Sequence, residues 1–154
     1  MFPIRTLARL SDTERRGYIS LYSPATKSVR RIATIPVSNK YTDSTQGEDG
    51  LLGIAADPGF ATNGWIYMYY SPAGPEPKNV LARFTMKGNT LDTASKKVVL
   101  EVLVQRDKCC HTGGSIDFDA RGNLFGEHLW YEGERTDKWG HYVWRRGTDG
   151  TGHL

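Results

Sequence analysis

Trp65-Ile66-Tyr67-Met68-Tyr69-Tyr70-Ser71 is a run of aromatic and aliphatic residues that ends on a small polar one. Asn63-Gly64 stands just before it, and Pro72, Gly74, Pro75 and Pro77 follow. Aromatic and β-branched side chains suit a pleated, buried surface, and the flanking residues are turn formers, so the segment reads as a strand cut off at both ends. Working outward, Val80 to Met86 and Lys97 to Val104 read as two further strands joined by a turn around Gly88-Asn89. Upstream, Leu51 to Ala56 is an apolar run that Asp57-Pro58-Gly59 terminates, which fits a buried strand.

The same texture extends in both directions. Tyr18 to Tyr22, the turn Ser23-Pro24-Ala25-Thr26-Lys27 and Val29 to Ile35 form a hairpin signature. Ser38 to Gly47 is a polar loop. Ser115 to Phe118 and Asn123 to Phe125 flank the turn Asp119-Ala120-Arg121-Gly122. Short strands at such regular spacing predict an all-β protein of four-stranded modules, as in a β-propeller. Propeller blades run to about 40–45 residues and closed rings need about four to eight of them. A chain of 154 residues supplies fewer than four. Open blade edges and faces then invite association with another copy. After Phe125 the texture changes: Trp130, Trp139, Trp144, His128, His141 and His153 crowd in among charges without strand alternation. A surface loop followed by a strand Tyr142-Val143-Trp144 accounts for this, and so does a shifted reading frame.

Bulk properties exclude several classes. An apolar fraction of 38% with 17 glycines argues against a helical bundle. The net charge of +3 arises from scattered Lys and Arg without a basic run, so no nucleic-acid partner is expected. No stretch is long and apolar enough to cross a bilayer, and the arginines within residues 1–10 interrupt any signal-peptide core. Gly113-Gly114 lacks the Lys-Ser or Lys-Thr of a phosphate loop, and no serine sits in a nucleophile elbow.

Two loops carry the candidate chemistry. Cys109-Cys110-His111-Thr112-Gly113-Gly114 sets a histidine before two glycines that permit close backbone approach. His111 is the leading general-base candidate, its alternative being a turn histidine bonded to nearby backbone. Cys109 and Cys110 with His111 are poorly spaced for one tetrahedral metal site. The two thiols either close into a vicinal disulfide that stiffens the loop or stay reduced as small buried groups. Glu48-Asp49-Gly50 is the second loop, where a carboxylate can bond a sugar hydroxyl, orient a base, or simply face solvent. Two such loops from neighbouring β units are expected to meet over one pocket.

The segments GEDGLLGIAADPGFATNGWIYMYYSP, NVLARFTMKGNTLDTASKKVVLEV and CCHTGGSIDFDARGNLF, in that order, resemble the soluble quinoprotein glucose/sorbosone (aldose sugar) dehydrogenases, and ERRGYISLYSPATKSVRRIATIPV fits the same pattern. The resemblance covers Glu14 to Phe125. It implies a six-bladed propeller of four-stranded blades that uses pyrroloquinoline quinone (PQQ) with calcium. It further implies that His111 takes the proton from the C1 hydroxyl of an aldose while hydride passes to the quinone, with Glu48 near the substrate. Two departures accompany it. Cys110 stands where family members place an aspartate that orients the base, so Cys109 and Cys110 are candidates for orienting it or stiffening its loop. The Thr-Gly-Asp strand and the blades that supply most quinone and calcium ligands are not recognisable after Phe125.

The expected organisation is therefore an N-terminal extension (1–13), propeller blades (14–125) and an atypical tail (126–154), a truncated or frame-shifted leading part of a dehydrogenase that is inactive alone. The family setting implied is periplasmic or secreted, although this chain shows no signal peptide. From other classes, a non-catalytic module binding carbohydrate or protein and a redox or metal-responsive protein acting through Cys109 and Cys110 are the competing readings.

Overall fold

The computed structural model describes residues 10–38, 48–104, 112–132, 135–146 and 152–153, with side chains described for 15–38, 48–104 and 112–126. The expected loop from Ser38 to Gly47 lies outside the described residues beyond Ser38. Three antiparallel sheets follow one another along the chain. The first comprises β1 (Leu10–Glu14), β2 (Tyr18–Ser23) and β3 (Ser28–Thr34) in that order. The β2–β3 hairpin is the expected one, with Tyr22 opposite Val29 and Ser23 opposite Ser28. β1 was not foreseen, because its polar sequence Leu-Ser-Asp-Thr-Glu has no apolar alternation and is recruited by backbone pairing to β2.

The second sheet contains β4 (Leu51–Ala56), β5 (Trp65–Tyr70), β6 (Lys78–Lys87) and β7 (Thr90–Leu103), each paired to the next in an up-and-down meander. This is the four-stranded module expected of a blade. β7 starts at Thr90 rather than Lys97, because the Gly88-Asn89 turn returns the chain at once and pairs Lys87 with Thr90 and Met86 with Leu91. A short helix, α1 (Phe60–Asn63), lies between β4 and β5. The corner is built on buried Asp57, whose Oδ1 accepts the Gly59 N–H at 2.7 Å and the Asn63 Nδ2 at 2.9 Å. Asn63 Oδ1 in turn accepts the Trp65 N–H at 2.9 Å, which starts β5.

The third sheet contains β8 (Ile116–Phe118), β9 (Asn123–Glu132), β10 (Arg135–Arg146) and β11 (Gly152–His153) in an uninterrupted meander. β9 runs straight through Phe125, and the tail is stranded where a surface loop was one expectation. Its pairing sets Val143 opposite Phe125 and Trp144 opposite Leu124. Backbone ladders tolerate charged side chains where aromatic and β-branched residues keep the strand geometry, which is why lost alternation did not mean lost strands.

The middle blade explains the sequence of β5. Ile66, Met68 and Tyr70 join a core shared with Ile19 and Ile35 from the first sheet and its linker. Tyr67 and Tyr69 project oppositely, into a core shared with Ile116 and Leu124 of the third. A strand covered on both faces has no polar side, so the run is apolar throughout. Tyr67 meets Phe118 edge to face, with ring centroids 5.3 Å apart. Trp65, on the same face, carries the Arg83 guanidinium 4.1 Å above its ring centroid. The three sheets thus stack face to face as successive blades of a partial β-propeller.

Candidate functional site

The two loops singled out in the sequence do meet, at the end of the middle blade where β4 begins and β8 follows. β4 carries a register shift between Leu51 and Gly53. Irregularities of this kind re-aim side chains and recur beside functional sites. A Cβ at Gly53 would overlap the Gly114 carbonyl oxygen and crowd Ile116, while a Cβ at Gly114 would overlap Leu52 and press on Tyr69. Each glycine is therefore required by the other segment, and the blades touch backbone to backbone. This is the close approach that the glycines of both loops implied.

That contact delivers Thr112 to the acidic loop. Glu48 Oε2 accepts the Thr112 backbone N–H at 2.7 Å, and Asp49 Oδ1 accepts the Thr112 hydroxyl at 3.3 Å. Glu48 is half-buried and Asp49 buried. The 2.7 Å bond to Glu48 and the longer one to Asp49 together clamp the residue that directly follows His111. Sequence reasoning gave Glu48 a place beside substrate; the structure adds that one of its oxygens holds the neighbouring loop. Thr112 itself was not singled out. The signal for it was its position between the histidine and two glycines. His111, Cys109 and Cys110 lie outside the described residues.

Gly50 closes the other side of the loop, with φ of 139° and no space for a Cβ against the Arg15 carbonyl. The described residues also line a concavity of about 380 Å³ among Thr34, Ile35, Tyr70, Phe84 and Lys96, which contains no predicted site residue.

Successive antiparallel meanders, with the two candidate loops meeting at the joint between two of them, define a partial β-propeller. The chain belongs to the glucose/sorbosone dehydrogenase family, whose model matches residues 6–137. A solved structure of an oxidoreductase (glucose dehydrogenase) from Thermus thermophilus is 30% identical, with a TM-score of 0.61 over 75% of this chain and 32% of that one. A further solved glucose dehydrogenase is 25% identical, with a TM-score of 0.58 over 75% of this chain and 33% of its own. The PQQ-bound form of aldose sugar dehydrogenase from Streptomyces coelicolor shares the fold at 24% identity, with a TM-score of 0.59 over 76% of this chain and 33% of its own. No curated protein matches. The chain spans about a third of the length of the solved structures it matches.

PQQ is a planar tricarboxylate that calls for cations around it, and calcium calls for several converging oxygen ligands. Glu48 and Asp49 supply negative charge at this rim. Among the described residues, no group of three or more His, Cys, Asp or Glu gathers to hold a metal. These residues therefore do not fit the quinone or its calcium. Among the described residues no helix is long and apolar enough to cross a membrane.

Proposed function

We propose that this chain forms the sugar-facing wall of a quinoprotein aldose dehydrogenase, with His111 as general base toward the C1 hydroxyl and Glu48 bonding the bound sugar. The observation that carries the reading is the clamp of Glu48 and Asp49 on Thr112. It ties the residue after His111 to a loop of the preceding blade, so base and acid are offered to one ligand. Holding a base within reach of the proton it removes is the first requirement of general base catalysis, ahead of its pKa. Cys109 and Cys110 are assigned to stiffening or orienting that base. The reading assigns PQQ and calcium binding to residues other than the Glu48 loop, so the chain alone is expected to bind sugar better than it turns it over. A periplasmic or secreted setting follows from the same reading.

The test adds aldoses to the purified chain, with and without PQQ and calcium, and follows the Thr112 amide by NMR alongside dye reduction. An aldose-dependent shift at Thr112 that is lost in Glu48→Ala is expected, as is loss of any dye reduction in His111→Ala. Sugar binding with no uptake of PQQ favours a non-catalytic carbohydrate module or an inert fragment. A Thr112 amide indifferent to all aldoses overturns the reading.

A further inference from the structure

Ser71 and Asn79 are fully buried polar residues near the site end of the middle blade. Ser71 follows β5, and Asn79 is the second residue of β6. The Ser71 hydroxyl donates to Asn79 Oδ1 at 2.8 Å. Its backbone N–H donates to the Gly50 carbonyl, and its own carbonyl accepts the Ser38 N–H, each at 2.8 Å. On the far side of Gly50, the Leu51 N–H donates to the Arg15 carbonyl at 3.0 Å. The segment that carries Glu48 and Asp49 is thus gripped from two directions at Gly50, and one of the two grips is Ser71.

Asn79 is a poor choice if its position needed only filling. Its Nδ2 has no hydrogen-bond partner among the described residues, and a buried donor left unpaired is destabilising. A leucine of similar size would avoid that penalty. What leucine cannot offer is an acceptor for the Ser71 hydroxyl, which fixes the residue whose amide reaches Gly50.

We propose that Ser71 and Asn79 are a positioning pair for the acidic loop, acting through Gly50 to hold Glu48 in register with Thr112 before any ligand arrives. The proposal rests on the reading of that loop as a wall of the sugar site. Its role there is preorganisation: a carboxylate held in place by a supporting hydrogen bond loses less freedom when a hydroxyl docks on it.

The experiment measures amide hydrogen exchange in the purified chain for Ser71→Ala, Asn79→Leu and the double variant. Removing one partner strands the other, so each single variant is expected to unfold at lower temperature. Removing both leaves no stranded group, and the double variant is expected to recover most of the loss. Protection of the Thr112 and Leu51 amides is expected to fall about five- to tenfold in all three, while the Tyr67 and Phe84 amides of the double variant keep theirs. A double variant that recovers Thr112 protection together with thermal stability shows the pair to be a filler of the interior and overturns the proposal, as does unchanged Thr112 protection throughout. The double variant keeps the test decisive where a single variant fails to fold. The readout needs neither sugar nor quinone, so its outcome stands whether or not the chain oxidises aldoses.

Discussion

Glu48 and Thr112, 64 positions apart, are joined by a 2.7 Å hydrogen bond from the Thr112 amide to the Glu48 carboxylate. The bond links two successive blades at their joint. Glu48→Ala is expected to lower unfolding free energy by about 1.5 kcal/mol, the ordinary worth of a hydrogen bond to a charged group. Glu48→Gln keeps an acceptor and should lose less than half of that. Urea denaturation of the two variants measures the difference.

A Cβ at Gly53 would overlap the Gly114 carbonyl oxygen, and one at Gly114 would overlap Leu52, the residue before Gly53. Gly53→Ala and Gly114→Ala are each expected to destabilise by about 2–3 kcal/mol through forced backbone displacement. Once the first alanine has pushed the blades apart, the second meets a gap already open. A double-mutant cycle should therefore show a combined loss well short of the sum.

Asp57 holds the opposite corner of the middle blade through the Gly59 amide and the Asn63 side chain. Asp57→Ala strands both donors and should cost about 2 kcal/mol. Because this corner lies at the far end of β4 from Glu48, the Thr112 amide should keep its wild-type chemical shift.

Asp119 organises the β8–β9 turn. Its Oδ1 accepts the amides of Arg121 and Asn123 at 2.9 and 2.8 Å, and its Oδ2 accepts the Asn123 side chain at 2.8 Å. The Asn123 side chain foremost, then the backbone amides, hold its carboxyl below the ordinary aspartate value. Asp92 is likewise lowered, chiefly by the Lys87 ammonium bonded to it. A carboxyl whose pKa is lower when folded contributes stability that is fully present above its unfolded pKa and is lost as pH falls through the folded one. The contribution of these two carboxyls should thus be constant above about pH 5 and decline below about pH 4. Asp119→Asn should make that decline shallower, as read from melting curves across the acid range.

The strands of the first two sheets were legible wherever side chains had to be buried. Leu51 to Ala56 and Trp65 to Tyr70 declare themselves because both faces of the middle blade are covered. β1 and the first half of β7 did not, since residues such as Thr13 and Asp92 are held by ladder pairing, which leaves no hydrophobic pattern. The same reason hid β9 beyond Phe125 and the start of β10, although Tyr142 to Trp144, in the later part of β10, was one expected strand. At the site, Glu48 and the glycines were readable from residue type alone. The grip of Glu48 and Asp49 on Thr112 was not, because it depends on how two blades stack.

The contact at Gly53 and Gly114 leaves the wedge between these blades with no thickness to vary. If this rim is the proposed sugar site, divergence toward other sugars, whether by evolution or in the laboratory, would act on the fringe at positions 48, 49 and 112. A library that randomises those three codons while sparing both glycines would explore specificity without spending its members on chains that cannot close the joint.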